Sequence, residues 1–238
     1  MEFFNKPFVW PSLFLSIALI IGLWIVGAGI ANRGADNVIT STGSASIDVK
    51  ADDAKWTVSV YRSAYEGQTA AAYTQVASDA AAVTSYFKKA NLASTTITST
   101  IITADQQYNN NGPLSYNVHQ EITIESSDVD GMQKLAQGIA TLTSQGLSVS
   151  PRQPEYYVTN LPAIRVQLMG KAVADAKARA KQLAESGGST IGALRSASSG
   201  VVQVQAPNSI GGDDYGAYDT STIQKEVSVT AHVTFAVQ

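Results

Sequence analysis

The feature that most constrains this chain is a long apolar segment near its N-terminus. From Pro7 to Asn32 there is no charged side chain, and Ser12 to Ile30 is rich in Leu, Ile, Val and Phe. A hydrocarbon slab of about 30 Å needs roughly 20 helical residues at about 1.5 Å each, and Ser12 to Ala31 provides that length. The segment predicts one transmembrane helix, with the bulk of the chain outside the cytoplasm.

Within this helix we expect the apolar side chains to contact lipid, with aromatic side chains near the interface. The predicted anchor residues are Trp10, Leu15, Ile20, Trp24 and Ile30. A cleaved signal peptide is the alternative, because Gly29-Ile30-Ala31 has the small-x-small pattern of a cleavage site, and the protein would then be soluble in the periplasm. The anchor is favoured because the apolar stretch exceeds the roughly 7–15 residues of a usual signal peptide core.

Composition narrows the classes of partner and site. The 238 residues carry a formal net charge of −3, so the chain has no basic field that would collect nucleic acid. Cysteine is absent, which excludes disulfides and thiolate metal sites. We divide the chain into an anchor at 1–31, a linker at 32–37 and an exported domain at 38–238, which is long enough for a hydrophobic core.

Strand patterns open the exported domain, and a helix follows them. "VITSTGSASIDVK" predicts a first strand, and "KWTVSVYRS" predicts a second with Trp56, Val58 and Val60 on one face. A helix is predicted from Thr69 to Ala90 because apolar residues recur at spacings of three and four. Its predicted apolar stripe consists of Tyr73, Val76, Ala80, Val83 and Phe87.

The remaining elements complete the order ββαββαβαββ. Strands are predicted in "STTITSTIITADQQY" and "SYNVHQEITIE", and the alternation of the latter places Asn117, His119, Glu121 and Thr123 on its polar face. A second helix begins near Asp128 and ends at Gly146, and the short strand "LSVSP" follows it. A third helix runs from Pro162 to Ser186, and "TIGALRSASSGVVQVQ" predicts a broken strand after it. The closing strand begins at Ile223 and alternates cleanly. This order predicts an α+β fold, a mostly antiparallel sheet covered by three helices.

The chain resembles the SIMPL-domain family of bacterial exported proteins. The segments that carry the resemblance are "TGSASIDVKADDAKWTVSV", "AAAYTQVASDAAAVTSYFKKANL" with the following "TITST", "YNNNGPLSYNVHQEITIE", "KAVADAKARAKQLAESGGSTIGAL" and "VSVTAHVTFAV". No one of these is specific, but their ordered set spans about Val38 to Gln238. The resemblance implies a periplasmic or envelope location, an α+β fold and, in some members, a ring-like assembly. It implies no settled biochemical activity.

Candidate catalytic and metal-binding residues are few. His119 and His232 are the only histidines, and they would need paired strands to bind a metal together with Glu121. Two solvent-facing histidines are the favoured interpretation. No G-x-S-x-G pattern accompanies the serines. We therefore expect no enzyme activity, no metal and no cofactor.

An acidic, aromatic loop lies within residues 206–220. Asp213, Asp214 and Asp219 are candidate calcium ligands, although their spacing matches no EF-hand, and a solvated loop is favoured. Tyr215 and Tyr218 are candidate interface residues, because aromatic side chains are enriched at interfaces.

Two further features favour self-association. Ala172, Ala176 and Ala180 form a small-residue row on the third helix, and we predict that it packs closely on a sheet or a neighbouring helix and is a candidate interface. The closing strand is long and low in charge, so we expect it to be central in its sheet or paired between subunits.

The expected function is a membrane-tethered periplasmic or envelope structural protein that forms a homo-oligomer, with a ring or cage as one form. Its partners would be the lipid bilayer and further copies of itself. The alternative is a monomeric envelope binding module for a peptide, glycan or small ligand that uses the 206–220 loop.

Overall fold

A computed structural model of the protein describes residues 9–31, 37–108, 113–209 and 216–238, with the side chains of the first helix described from 14 to 27. The helices are α1 (Val9–Ala31), α2 (Thr69–Lys89), α3 (Val129–Gln137), α4 (Ala140–Ser144) and α5 (Leu161–Ser186). The strands are β1 (Val38–Lys50), β2 (Asp53–Tyr65), β3 (Thr96–Ser99), β4 (Thr103–Gln107), β5 (Ser115–Ser126), β6 (Val149–Pro151), β7 (Glu155–Tyr157), β8 (Ile191–Gln205) and β9 (Gln224–Val237).

The chain divides into two compact units. The first comprises residues 1–43, 173–198 and 231–238, and the second comprises 44–172 and 199–230. The second unit contains a six-stranded antiparallel sheet in the order β3-β5-β2-β6, in which β4 pairs with β5 and β7 pairs with β2. Strands β2 and β5 pair along nearly their whole length, from Ala54 opposite Ser126 to Tyr65 opposite Ser115.

The main core of the second unit packs helices α2 and α3 on one face of this sheet. Trp56, Val58 and Val60 are buried on β2, as the alternation predicted. The Trp56 and Phe87 rings lie 5.4 Å apart. The buried residues of α2 are Ala72, Val76, Ala80, Val83 and Phe87. Tyr73 was predicted in this stripe but is exposed, because the helix turns Ala72 rather than Tyr73 toward the sheet.

A three-stranded sheet has the order β1-β9-β8, and its strands contribute residues to both units. The closing strand β9 is therefore central in its own sheet, which confirms that part of the prediction. Leu168, Val204, Val227 and Val229 form a second buried cluster within the second unit.

The α+β class and the antiparallel sheets are confirmed, but the predicted number and order of elements are wrong. The second predicted helix is two helices, α3 and α4, interrupted at Gly138, which ends α3. The third predicted strand is divided into β3 and β4, and the strands lie in two sheets rather than one. The prediction of three helices on one sheet is therefore wrong, because the described residues form more than three helices and two sheets.

The apolar N-terminal segment forms the 23-residue helix α1. Its side chains are exposed throughout 14–27, including the predicted anchor residues Leu15, Ile20 and Trp24. The side chains of Trp10 and Ile30 lie outside the described residues. Among the described residues, whose side chains in α1 run only from 14 to 27, no helix combines the length and apolarity needed to span a membrane.

Candidate functional site

The second face of the six-stranded sheet is polar. Because side chains alternate along a strand, the residues of β2 and β5 that do not enter the core lie on this face. They include Lys55, Thr57, Ser59 and Tyr61 on β2, and Asn117, His119, Glu121 and Thr123 on β5. Each is at least partly exposed. We call this surface the polar face.

A pocket of about 280 Å³ lies on the polar face, on the side of the sheet where β6 and β7 pair with β2. Its lining residues are Lys55, Thr57, Glu121, Thr123, Arg152, Gln153 and Glu155. All of them belong to the second unit. We call this cavity the sheet pocket.

The charges around the sheet pocket are paired with one another. Arg152 Nη2 lies 2.6 Å from Glu121 Oε1, and the Ser59 hydroxyl donates to the same oxygen at 3.4 Å. Lys55 Nζ lies 3.6 Å from Glu125 Oε1. Each cation therefore has a carboxylate beside it, so neither one presents an isolated charge to a ligand.

Backbone hydrogen bonds fix the segment that carries Arg152 against the edge of the sheet. The Arg152 backbone N–H donates to the Thr57 carbonyl at 3.0 Å. The indole Nε1 of Trp56 donates to the Arg152 carbonyl at 2.8 Å. The Trp56 ring thus packs in the core, while its indole N–H is hydrogen-bonded to a residue that lines the sheet pocket.

Glu155 is held by the neighbouring tyrosine. The Tyr157 hydroxyl donates to Glu155 Oε2 at 2.8 Å. Burial raises the pKa of Tyr157 to about 12, and the hydrogen bond to Glu155 adds to this effect. Tyr157 therefore remains a protonated donor at neutral pH, and Glu155 retains its second oxygen as an acceptor.

A lysine is buried elsewhere in the second unit. Lys225 on β9 is fully buried, and its amine donates to the Asp219 carbonyl and lies 5.8 Å from the centre of the Tyr218 ring. That distance is within the range of a cation–π contact. Burial lowers the pKa of Lys225, and the nearby Asp219 charge opposes this change.

The Asp219 carboxylate is occupied by hydrogen bonds within its own segment. It accepts from the Ser221 backbone N–H at 2.8 Å, from the Ser221 hydroxyl at 2.7 Å and from the Thr222 hydroxyl. Burial alone would raise the pKa of Asp219, but these hydrogen bonds, with Lys225 nearby, lower it to about 2. The Asp219 carboxylate thus stabilises the local conformation of residues 219–222.

The predicted calcium ligands Asp213 and Asp214, and the candidate interface residue Tyr215, lie outside the described residues. The second candidate, Tyr218, is 40% exposed. Its hydroxyl accepts from the Val158 backbone N–H at 2.8 Å, and its ring lies 6.0 Å from that of Tyr157. The role of Tyr218 at an interface stays a prediction.

The two histidines lie on strands of different sheets, so their strands do not pair. His119 Nε2 lies 3.2 Å from the Thr103 hydroxyl, and His232 Nδ1 lies 2.9 Å from the Thr42 hydroxyl. Among the described residues there is no group of three or more histidine and acidic side chains arranged to hold a metal. The strand pairing that a shared metal site would need is therefore absent.

The small-residue row of α5 lies inside the chain. Ala172, Ala176 and Ala180 are fully buried, as close packing requires. Their role in an interface between chains stays a prediction.

Sequence reasoning missed most of the sheet pocket. It placed Glu121 and Thr123 on a polar strand face and considered Glu121 only as a metal ligand beside the histidines, with no partner in this pocket. The same alternation applied to β2 assigns Lys55 and Thr57 to that face. No local pattern identifies Arg152, because it reaches the sheet through the segment between two three-residue strands.

Two solved structures share limited similarity with this chain. One is a candidate aminohydrolase from methicillin-resistant Staphylococcus aureus, with 12% identity, a TM-score of 0.27 and coverage of 50% of this chain and 32% of the other. The other is a candidate amidohydrolase/peptidase from Burkholderia cenocepacia, with 16% identity, a TM-score of 0.28 and coverage of 54% and 32%. The chain thus spans about a third of each of these proteins, and the likeness is too weak to carry an argument.

A search of curated proteins finds no match. The family model described as "SIMPL: Protein of unknown function (DUF541)" matches residues 39–236. This match covers most of the chain and agrees with the segments identified in the sequence. The protein therefore belongs to the SIMPL family, whose function is unknown.

Proposed function

We propose that this protein is a membrane-tethered structural protein of the cell envelope and periplasm, and that its exported domain self-associates through the free edge of β8. The observation that carries the proposal is the exposure of this edge strand. β8 is 15 residues long and lies at the end of the order β1-β9-β8. Its residues 193–198 are all exposed, and Arg195 is the only charged one among them.

A long, exposed edge with little charge is a template for another strand, since its outer N–H and C=O groups have no strand partner. Part of β8 is already covered. The Val204 N–H donates to the Ala217 carbonyl at 2.8 Å, and the Asp219 N–H donates to the Val204 carbonyl at 2.8 Å. The edge available to a second chain therefore lies N-terminal to Val204.

Because β9 is central in its sheet, a strand of another chain can pair only with one of the two edge strands, β1 or β8. β9 has β1 on one side and β8 on the other, so it has no free edge for another chain. Pairing of β8 in one copy with β1 in the next would be heterologous. Heterologous contacts either close into a ring or extend into a filament, and a ring removes every free edge.

Helix α1 supports the membrane tether. It contains no acidic residue in its first turn and no basic residue in its last turn, and its apolar side chains from 14 to 27 are exposed. Exposed apolar surface of this extent indicates burial against lipid or protein. We propose lipid rather than protein as the surface that covers α1, because the sequence between Ser12 and Ala31 carries no charged side chain.

The test is the mass of the full-length protein in mild detergent across a range of concentrations. We expect an oligomer, and we expect the double variant Ala193→Lys/Ala197→Lys to dissociate it, because lysines on an edge strand oppose pairing. The matched control is Ala163→Lys/Ala178→Lys, which adds the same charge at exposed positions of α5. A monomer at every concentration contradicts the proposal, as does an oligomer that both variants leave intact.

Membrane attachment is tested by fractionating cells that express the full chain and washing the membranes with alkaline carbonate. Retention in the pellet supports the tether. Release into the supernatant contradicts it and favours the cleaved or peripheral alternative.

The second candidate is a monomeric binding module. A cavity of about 440 Å³ is lined by Leu161, Pro162, Arg165, Val201 and Val202. It adjoins the 206–220 loop, because a side chain at Gly216 would contact Val201 and Val202. This mostly apolar lining favours a small hydrophobic ligand, and a monomeric protein in the mass measurement would support this alternative.

A further inference from the structure

The sheet pocket has hydrogen-bonding capacity that its internal contacts do not use. Glu121 accepts its described hydrogen bonds through Oε1, which leaves Oε2 as an acceptor. The Thr57 and Thr123 hydroxyls bond each other at 2.9 Å, so only one of their two protons is used. Arg152 engages Glu121 through Nη2, and a guanidinium carries five N–H donors.

The charges of the sheet pocket select against ionic ligands. Two cations, Lys55 and Arg152, face the carboxylates of Glu121 and Glu155, with Glu125 beside Lys55. An anion would lie next to these carboxylates, and a cation would lie next to the lysine and the arginine. A zwitterion needs separated positive and negative sites, whereas here each cation lies within 4 Å of a carboxylate.

A hydroxyl group meets these conditions because it both donates and accepts hydrogen bonds. It can accept from the guanidinium and donate to the free carboxylate oxygen without disturbing the balance of charge. Several hydroxyls on one rigid ring would satisfy several of these groups together. The volume of about 280 Å³ is slightly below the usual range of roughly 300–1,000 Å³ for small-molecule sites, which fits a compact ring.

From this geometry we propose that the sheet pocket binds a neutral, hydroxyl-rich sugar unit of a glycan. Tyr61 extends the surface available to such a chain. It lies on the same face of β2, four residues beyond Thr57, and is 40% exposed. At about 3.3 Å per residue, its ring lies roughly 13 Å along the strand and offers an apolar surface to a second or third sugar. This proposal does not depend on self-association.

The experiment is calorimetric titration of the full-length protein in mild detergent with maltotriose, tri-N-acetylchitotriose, trialanine and citrate. We expect one of the two neutral trisaccharides to bind with a Kd below about 1 mM, and we expect trialanine and citrate not to bind. In Arg152→Ala and in Glu121→Gln the affinity should fall at least tenfold. Glu121→Gln preserves the shape of the pocket and therefore separates lost binding from lost folding.

The chain offers a closely matched control in Arg179→Ala. The Arg152–Glu121 pair has side chains 67% and 32% exposed and a separation of 2.6 Å. The Arg179–Asp175 pair has side chains 57% and 34% exposed and a separation of 2.9 Å, but it lies on α5 in the other unit. Its loss should change the affinity less than twofold.

A spectroscopic measurement localises the site. The Trp56 indole N–H donates to the Arg152 carbonyl, so sugar binding should shift its NMR resonance while those of Trp10 and Trp24 stay in place. Three outcomes overturn the proposal. They are the absence of binding by both trisaccharides, preferential binding of trialanine, which would indicate a peptide site, and sugar binding that survives both pocket variants.

Discussion

Replacing Asp219 with asparagine tests whether its hydrogen-bonded carboxylate stabilises residues 219–222, whose first carbonyl accepts a hydrogen bond from the buried Lys225. The carboxylate accepts three hydrogen bonds, two from Ser221 and one from Thr222. An asparagine keeps one oxygen but presents an NH₂ group where the second oxygen accepted a proton. It also removes the negative charge near the amine of Lys225.

The magnitude follows from the pKa of Asp219, which falls from 3.8 to about 2. One pKa unit corresponds to about 1.36 kcal/mol, so this change represents roughly 2–3 kcal/mol. Asp219 is partly exposed, and solvent screening reduces the contribution to roughly 1–1.5 kcal/mol. The amine of Lys225 keeps its bond to the backbone carbonyl of residue 219 and adds no loss, so we expect a total loss of about 1–1.5 kcal/mol at pH 7.

The sign of the pH dependence is fixed by the direction of the shift. A carboxyl whose pKa is lower in the folded state stabilises the fold above its unfolded value and loses that effect as pH falls. The contribution of Asp219 should therefore be complete above about pH 5 and disappear between about pH 4 and pH 2. The difference between the wild type and Asp219→Asn should shrink over the same range.

The assay is urea unfolding of the full-length protein in mild detergent at pH 7, pH 4 and pH 2.5, followed by circular dichroism. Asp48→Asn is the control, because Asp48 is an exposed carboxylate on β1 and its loss should cost less than about 0.5 kcal/mol. An Asp219→Asn variant as stable as the wild type at pH 7 would refute the reasoning. So would a stability difference that stays constant from pH 7 to pH 2.5.

Four further predictions concern packing and helix stability. Trp56→Ala removes the buried ring that contacts Phe87 and should lower the free energy of unfolding by about 3–5 kcal/mol in the same urea assay. Ala176→Leu adds volume at a fully buried position and should cost about 1–3 kcal/mol, read as a lower melting temperature. Gly131→Ala should also destabilise, by about 1–2 kcal/mol in urea unfolding, because its methyl group would collide with the Asp128 side chain that caps α3. Gly170→Ala, in open space within α5, should instead stabilise by up to about 1 kcal/mol.

Each of these predictions has a control or a refuting result. Tyr61→Ala, on the exposed face of the same strand as Trp56, should cost far less than Trp56→Ala, and equal losses would contradict the assignment of faces. Lys177→Leu places the same side chain at an exposed neighbour of Ala176 and should leave the melting temperature nearly unchanged. If Gly131→Ala and Gly170→Ala changed the free energy of unfolding equally, the collision with the Asp128 cap of α3 would not be the cause of the Gly131→Ala effect.

The sequence predicted elements well where one periodicity continued over many residues. The bounds of β1 were predicted to the residue, and α2 differs from its prediction by one residue at its end. The second helix was predicted too long because Gly138 lies within a continuous apolar pattern, and such a pattern does not show where the backbone breaks. For the site, alternation placed Glu121 on a polar face, but nothing local indicated that Arg152 lies 2.6 Å from it.

By itself the sequence determined the features that depend on neighbouring residues. These are the apolar N-terminal helix, the faces of each long strand, the family and the exclusion of thiol chemistry. Only the tertiary structure decided which strands became neighbours. It divided the strands between two sheets, placed β9 in the centre of one and left β8 at its edge, and brought Lys55, Glu121 and Arg152 to one pocket. The physical reason is that strand pairing and ion pairing join residues far apart in the chain, and a local pattern specifies which face a residue occupies but not which residue lies opposite it.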